Sequence, residues 1–149
     1  MIRLARAQDA AVVAAIVHAA YVVYLPRIGQ KPGPMLDDYD ELVAQGRVFV
    51  LEDGARIEGL VVLIPEDKTM LLDNVAVRPE AQGKGYGNRL IAFAEEQARA
   101  AGYNALRLFT HELMTENQAR YKYLGFVETH RGEERGLKRV YMTKALDRR

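Results

Sequence analysis

The feature that most constrains this chain is a glycine-rich turn placed between a strand and a helix. Residues 69–77 form an apolar, β-branched run that Arg78-Pro79 ends. Gln82-Gly83-Lys84-Gly85-Tyr86-Gly87 then passes directly into a segment whose Leu90, Ile91, Ala94, Ala98 and Ala101 recur at helical spacing. Glu95 and Arg99 form an i,i+4 pair on the outer face, and Gly102 suits the position just past the helix end. Backbone N–H groups at a helix start lack intrahelical partners and add to the helix dipole, and glycines let an anion approach them closely. A turn needs one glycine at positive φ rather than three alternating ones, so the pattern points to a bound anion. Lys84 and Arg89 add positive charge beside it.

Two nucleotide-binding loops fail on spacing. A P-loop requires Gly-Lys followed by Ser or Thr, whereas Gly83-Lys84 is followed by Gly85 and then Tyr86. A dinucleotide fingerprint requires G-x-G-x-x-G inside a parallel sheet; here Gly83, Gly85 and Gly87 are followed by Asn88, and the preceding strands read as antiparallel.

The 149 residues are expected to form one domain, residues 1–149. Hydrophobic residues at 49% and charged residues at 28% exclude global disorder. A net charge of +1, from 21 Lys and Arg against 20 Asp and Glu, gives no field for a nucleic acid, so any anion site is local. The absence of cysteine excludes disulfides, a thiol nucleophile and a thiolate metal site. His18, His111 and His130 show no metal-ligand spacing, so no metal is expected. Apolar runs such as 10–15 and 60–64 fall short of the roughly 18 residues of a membrane span, and the first residues lack a signal-peptide core. A soluble, cytoplasmic protein with no membrane partner is expected.

Alternation over 2–6 predicts a first strand, and apolar positions from Val12 to Tyr24 predict an amphipathic helix stopped by Pro26. Residues 26–34 read as a loop and 37–44 as a shorter helix. The runs 47–51 and 57–64 flank Asp53-Gly54, a hairpin signal. Strand-like 105–110, a short helix opened by Thr115-Glu116-Asn117-Gln118, and strands 126–131 and 137–144 around a polar turn at 132–136 complete the chain. The order βααβββαβαββ implies an α+β layered fold with a central mixed, mostly antiparallel sheet flanked by helices.

Gln82, Gly85 and Gly87 match Gln/Arg-x-x-Gly-x-Gly/Ala, and with Leu71 to Pro79 before it and Tyr121-Lys122-Tyr123-Leu124-Gly125-Phe126 after it the sequence resembles the GNAT superfamily of N-acetyltransferases. The resemblance implies the acyl-CoA N-acyltransferase fold and acetyl-CoA as cosubstrate. It implies that loop residues Gln82, Gly83, Lys84, Gly85, Tyr86, Gly87 and Asn88 hold the pyrophosphate. It further implies that Val75, Ala76 and Val77 pair with the pantetheine arm and that Asn117 contacts the same arm. Acetyl would pass to a primary amine, on a small molecule, peptide or protein, by direct attack through a tetrahedral intermediate. A non-catalytic CoA-sensing or protein-binding module of the same fold is the alternative, and a homodimer is left open.

Such a transfer needs a neutral amine, an oxyanion donor and a proton for the thiolate. Tyr121 stands where the family places its acid, with Tyr123 as fallback. Asp73, Asn74 and His111 compete as base, and His111 replaces an Asn common in relatives. Strand alternation puts Asp73 with Val75 on one face and Asn74 with Ala76 on the other. Tyr21, Tyr24, Asp38, Tyr39 and Glu41 are candidates for recognising the amine through carboxylates or ring faces.

Overall fold

A computed structural model describes residues 1–147. Its first half comprises β1 (Ile2–Leu4), α1 (Ala10–Tyr21), α2 (Leu25–Ile28), α3 (Tyr39–Ala44), β2 (Val48–Asp53), β3 (Arg56–Pro65) and β4 (Met70–Val77). There follow α4 (Tyr86–Ala100), β5 (Ala105–His111), α5 (Thr115–Tyr123), β6 (Val127–Glu134) and β7 (Leu137–Ala145). The strands make one sheet in the order β1-β2-β3-β4-β5-β7-β6. Every neighbouring pair is antiparallel except β4 and β5, which are parallel and joined by the α4 crossover.

Each face of the sheet has its own apolar layer. Leu90, Ile91, Ala94 and Ala98, the inner stripe of α4, pack with Val61, Leu72, Leu108 and Met142. On the other face Val13, Ile16 and Val17 of α1 and Val43 of α3 meet Val48, Val50, Leu60 and Val62. The helical segment 7–28 is long and apolar enough to cross a membrane by length and composition, unlike the shorter runs seen in the sequence. In this fold its buried stripe, Val13, Ile16, Val17 and Tyr21, covers the sheet.

Three expectations change on inspection. Pro26 does not stop the first helix: a 3₁₀ turn over Val22–Tyr24 leads into α2, where Pro26 occupies the first turn and its missing N–H costs nothing. Gly29, at φ +84°, ends that segment, and the expected loop narrows to a 3₁₀ turn at Gly33–Leu36 and its flanks. Strand β6 runs on to Glu134, because Arg135 and Gly136, at φ +53° and +77°, form the tight turn that a twisted hairpin favours.

The third change concerns β4. Val62 of β3 faces Asn74, but the next residue, Leu63, faces Leu72, so Asp73 is an extra, bulged residue. Met70 and Leu72 before the bulge, and Val75 and Val77 after it, belong to the α4 layer. The bulge thus shifts the parity of the strand by one. Asp73 and Asn74 do not take opposite faces, as simple alternation predicted; both meet groups of the first-helix side, as set out below.

β3 and β4 approach closely at Gly59, where an added Cβ would stand 2.8 Å from the Ala76 carbonyl oxygen and 3.1 Å from Leu90 Cδ1. Neither backbone nor core leucine has room to move. Gly59→Ala is expected to destabilise the domain by about 2 kcal/mol, read as a lower urea midpoint; an unchanged midpoint would show that β4 and α4 are not locked together here.

Candidate active site

β4 and β5 pair only where Met70, Leu71 and Leu72 meet Leu106, Arg107 and Leu108. Beyond Leu72 the two strands separate, while β5 stays paired with β7 as far as His111. The β5-facing backbone of residues 73–77 therefore has no ladder partner, and a cleft of about 590 Å³ opens there. Val75, Ala76 and Val77 line it, together with the loop and first turn of α4, and Tyr24, Asn117 and Arg120 from the far side.

The glycine-rich loop is held open by conformation. Gly83 and Gly85 sit at φ +84° and +85°, and an added Cβ at either meets nothing within 4 Å. Left-handed backbone requires glycine there, and the space before the amides is free. Gly85 precedes α4 without a side-chain cap, so the N–H groups of the first turn remain available. Gln82 Nε2 donates to the Val77 carbonyl at 3.3 Å, and the Tyr86 hydroxyl donates to Asp53, tying the loop to the β2–β3 turn.

The cations of this loop are not the ones first singled out. Lys84 is exposed and does not line the cleft, and the Arg89 guanidinium lies 5.9 Å from the Tyr86 ring centroid. Instead Arg120 of α5 lines the cleft, and a Cβ on Gly87 would stand 2.9 Å from its Nη2. The third glycine thus leaves room for a cation against the start of α4. Arg120 gave no motif signal; its place beside Tyr121, on a helix facing the loop, is a tertiary fact.

A second, narrow cavity of about 40 Å³ continues from the cleft, bounded by Asp73, Asn74, Thr110, His111, Arg139 and the 32–34 segment. Tyr21, Val75, Asn117 and Tyr121 line both spaces and so mark their junction. Tyr121 and Asn117 share one face of α5, as their spacing predicted. The Tyr121 ring packs edge-on against Phe126, and among the described residues its hydroxyl has no hydrogen-bond partner. Burial pushes that hydroxyl up to about 12, so it stays protonated. Tyr123 is 88% exposed and outside both spaces, which removes the fallback acid.

The narrow cavity is acidic on one side. Asp73 lies beside Asp37, a residue that no motif marked, near enough for the two carboxyls to act on each other. Burial first, and then the neighbouring Asp37 carboxylate, raise Asp73 to about 7, while Arg139 and Arg135 act in the opposite sense. Burial likewise raises Asp37. Two half-buried neighbouring carboxyl groups do not both ionise readily, and so Asp73 keeps its proton up to near neutrality.

Asn74 is 3% exposed and wholly engaged. Its Oδ1 accepts from the Tyr21 hydroxyl at 2.8 Å, and its Nδ2 donates to the Tyr39 hydroxyl at 3.0 Å, which donates in turn to the Pro34 carbonyl. This network holds the 32–34 segment over the bulge, and burial raises both tyrosines far above their usual range. Tyr39 lines neither space, nor does Asp38, whose carboxylate caps α3 by accepting from the Glu41 N–H at 3.2 Å. Tyr24 lines the wide cleft but not the narrow cavity. His111 Nδ1 accepts from the Leu113 N–H at 3.1 Å and burial lowers its pKa, so the neutral ring caps the end of β5.

Arg139 is a third residue that no motif marked. Paired with His111 across β5 and β7, it is 8% exposed and its guanidinium carbon lies 4.0 Å from the Phe109 ring centroid. Alternation from Leu137 carried a signal for it, since it places Arg139 on an inward face with an apolar neighbour two residues before.

Comparison with known proteins agrees with this layout. The model of the Acetyltransferase (GNAT) domain matches residues 44–128. An uncharacterised N-acetyltransferase of Bacillus subtilis (strain 168), YvbK, is 28% identical over 94 residues, which span 62% of this chain and 61% of that relative. A GCN5-related N-acetyltransferase structure from Rhodopseudomonas palustris superposes with a TM-score of 0.79 at 25% identity, covering 98% of this chain and 95% of the other. The PaiA N-acetyltransferase of Thermoplasma acidophilum, solved in complex with coenzyme A, shares the fold with a TM-score of 0.81 at 15% identity, covering 97% and 98% of the two chains. The family match takes in more than half of the sequence, from α3 through the loop to the start of β6, and the chain belongs to the GNAT family of acetyltransferases.

Proposed function

We propose that this protein transfers an acetyl group from acetyl-CoA to a primary amine by direct attack. The observation that carries the reading is the junction at Tyr121, where an anion-holding cleft meets a narrow cavity with an acidic wall. The residues present fit the cosubstrate. Unclaimed amides at Gly83 to Asn88, with Arg120 beside them, suit a pyrophosphate. The edge of Val75 to Val77, which no strand pairs and whose Val75 and Val77 carbonyls take side-chain donors from Tyr21 and Gln82, suits an amide-bearing arm laid along it as a further strand would lie. Acetyl-CoA supplies the activated acetyl thioester; the chain supplies position and proton handling.

An amine arrives as ammonium and attacks only when neutral. Asp73, once it has lost its own proton, accepts one from the ammonium, and the neighbouring Asp37 carboxyl keeps it basic enough to do so near neutrality. Asp37 acts through Asp73 and is a positioning residue. At the junction the Tyr121 hydroxyl donates toward the departing thiolate. The ammonium nitrogen loses two protons in all, one to Asp73 before attack and one from the tetrahedral intermediate; one is delivered to the CoA sulfur by way of Tyr121, which is then reprotonated, and the other leaves to solvent, so the balance closes without a covalent enzyme intermediate. Asn74 shapes the site through Tyr21 and Tyr39 rather than serving as base.

Tyr121→Phe is expected to lower kcat by about a hundredfold with CoA affinity by calorimetry nearly unchanged; an unaltered kcat would remove the tyrosine from the chemistry. The base must be deprotonated to act, so kcat/KM is expected to rise with pH through a break near 7 set by Asp73. Asp37→Asn removes the neighbouring charge that holds Asp73 up, and the break should move to lower pH. A break that stays in place would exclude Asp37.

A further inference from the structure

The narrow cavity is lined by charges of both signs. Asp73 lines it, with the Asp37 carboxyl beside it. Arg139 lines it too, 8% exposed and permanently cationic, near enough to act on both carboxyls yet free to take a further anion. Its Nη1 donates to Glu134 at 2.5 Å, but that carboxylate is largely in solvent, which weakens its hold on a buried cation. The face of the guanidinium rests on Phe109. The Nη2 edge lies toward Gly33, where an added Cβ would stand 3.6 Å away, and Gly33 lines the same cavity. Among the described residues neither Nη2 nor Nε has a hydrogen-bond partner. Those donors are not sealed from solvent, so a ligand in the cavity can reach them, and a planar guanidinium fork suits a carboxylate.

We propose that the acceptor is a small dipolar molecule bearing both an amine and a carboxylate, an amino acid or a close analogue, with its ammonium at Asp73 and its carboxylate at Arg139. This deepens the acetyltransfer reading and rests on it. The charges decide between acceptor classes. A polyamine or polycationic acceptor would meet Asp73 favourably but would bring further positive charge beside buried Arg139. A simple alkylamine would bring no anion to the guanidinium edge. A dipolar acceptor satisfies both charges at once. The narrowness of the space, about 40 Å³, and its cover by the 32–34 segment favour a slender group over a folded protein surface.

The test compares each of a panel of amino acids with the amine left when its carboxylate is removed, and adds spermidine as polycation. With acetyl-CoA held saturating, kcat/KM for at least one amino acid is expected to exceed that of its decarboxylated counterpart by about ten- to a hundredfold. Arg139→Gln should erase that ratio, chiefly by raising KM for the amino acid, and Arg139→Lys should restore part of it. CoA affinity by calorimetry reports whether each variant is folded. Equal or better turnover of decarboxylated amines or spermidine by the wild-type protein would overturn the inference while leaving acetyltransfer intact. So would a ratio unchanged in Arg139→Gln. Failure of every amine, with CoA still bound, would overturn the inference and the proposed catalysis together but leave the cofactor cleft standing; failure to bind CoA would overturn that as well.

Discussion

β4 and β5 hold one another for three residues and then part at Leu72, and every binding surface in this chain follows from that separation. A parallel pair inside a sheet normally stays paired, since each unpaired amide buried there is costly. Here the bulge at Asp73 turns β4 away, and β5 keeps its other edge on β7. The α4 crossover then starts directly above the gap, with Gly83 and Gly85 shaping its first turn. A strand edge without a ladder partner and a helix start with free amides are thus delivered side by side. Gly59, which lets β3 approach the Ala76 carbonyl, keeps that geometry rigid from behind.

Charge is divided between the two spaces. The wide cleft presents amides and Arg120, and so favours anions. The narrow cavity presents Asp73, with Asp37 beside it, and Arg139, and so favours a molecule with both signs. Tyr121 lies where they meet, and burial keeps its hydroxyl protonated across the working range. A chain with a net charge of +1 does not steer a polyanion, yet free amides and a nearby cation suit an anion locally.

What the sequence made legible was local. The Gly83-x-Gly85-x-Gly87 turn, the α4 stripe and the Asn117–Tyr121 spacing depend on residues close in the chain, and the structure places them as expected. What it hid was set by partners far away. The bulge at Asp73 exists only in the pairing of β4 with β3, so strict alternation put Asp73 and Asn74 on opposite faces. Asp37 gains meaning only because the Pro34 carbonyl, Tyr39 and Asn74 hold its loop over that bulge. Arg120 matters because Gly87 leaves it room, and Arg139 because β7 brings it opposite His111. Asp38, chosen for its charge, turned out to cap α3, a role that competes for every aspartate before a helix.

The central claim is that the parted strands and the glycine turn form one continuous seat for acetyl-CoA. A titration of the ¹⁵N-labelled protein with CoA, followed by amide chemical shifts, tests this most directly. The account predicts that the largest shifts fall on the amides of Gly83, Gly85, Tyr86, Gly87 and Asn88 and on Val75 and Val77. Shifts centred elsewhere, or none at millimolar CoA, would contradict it.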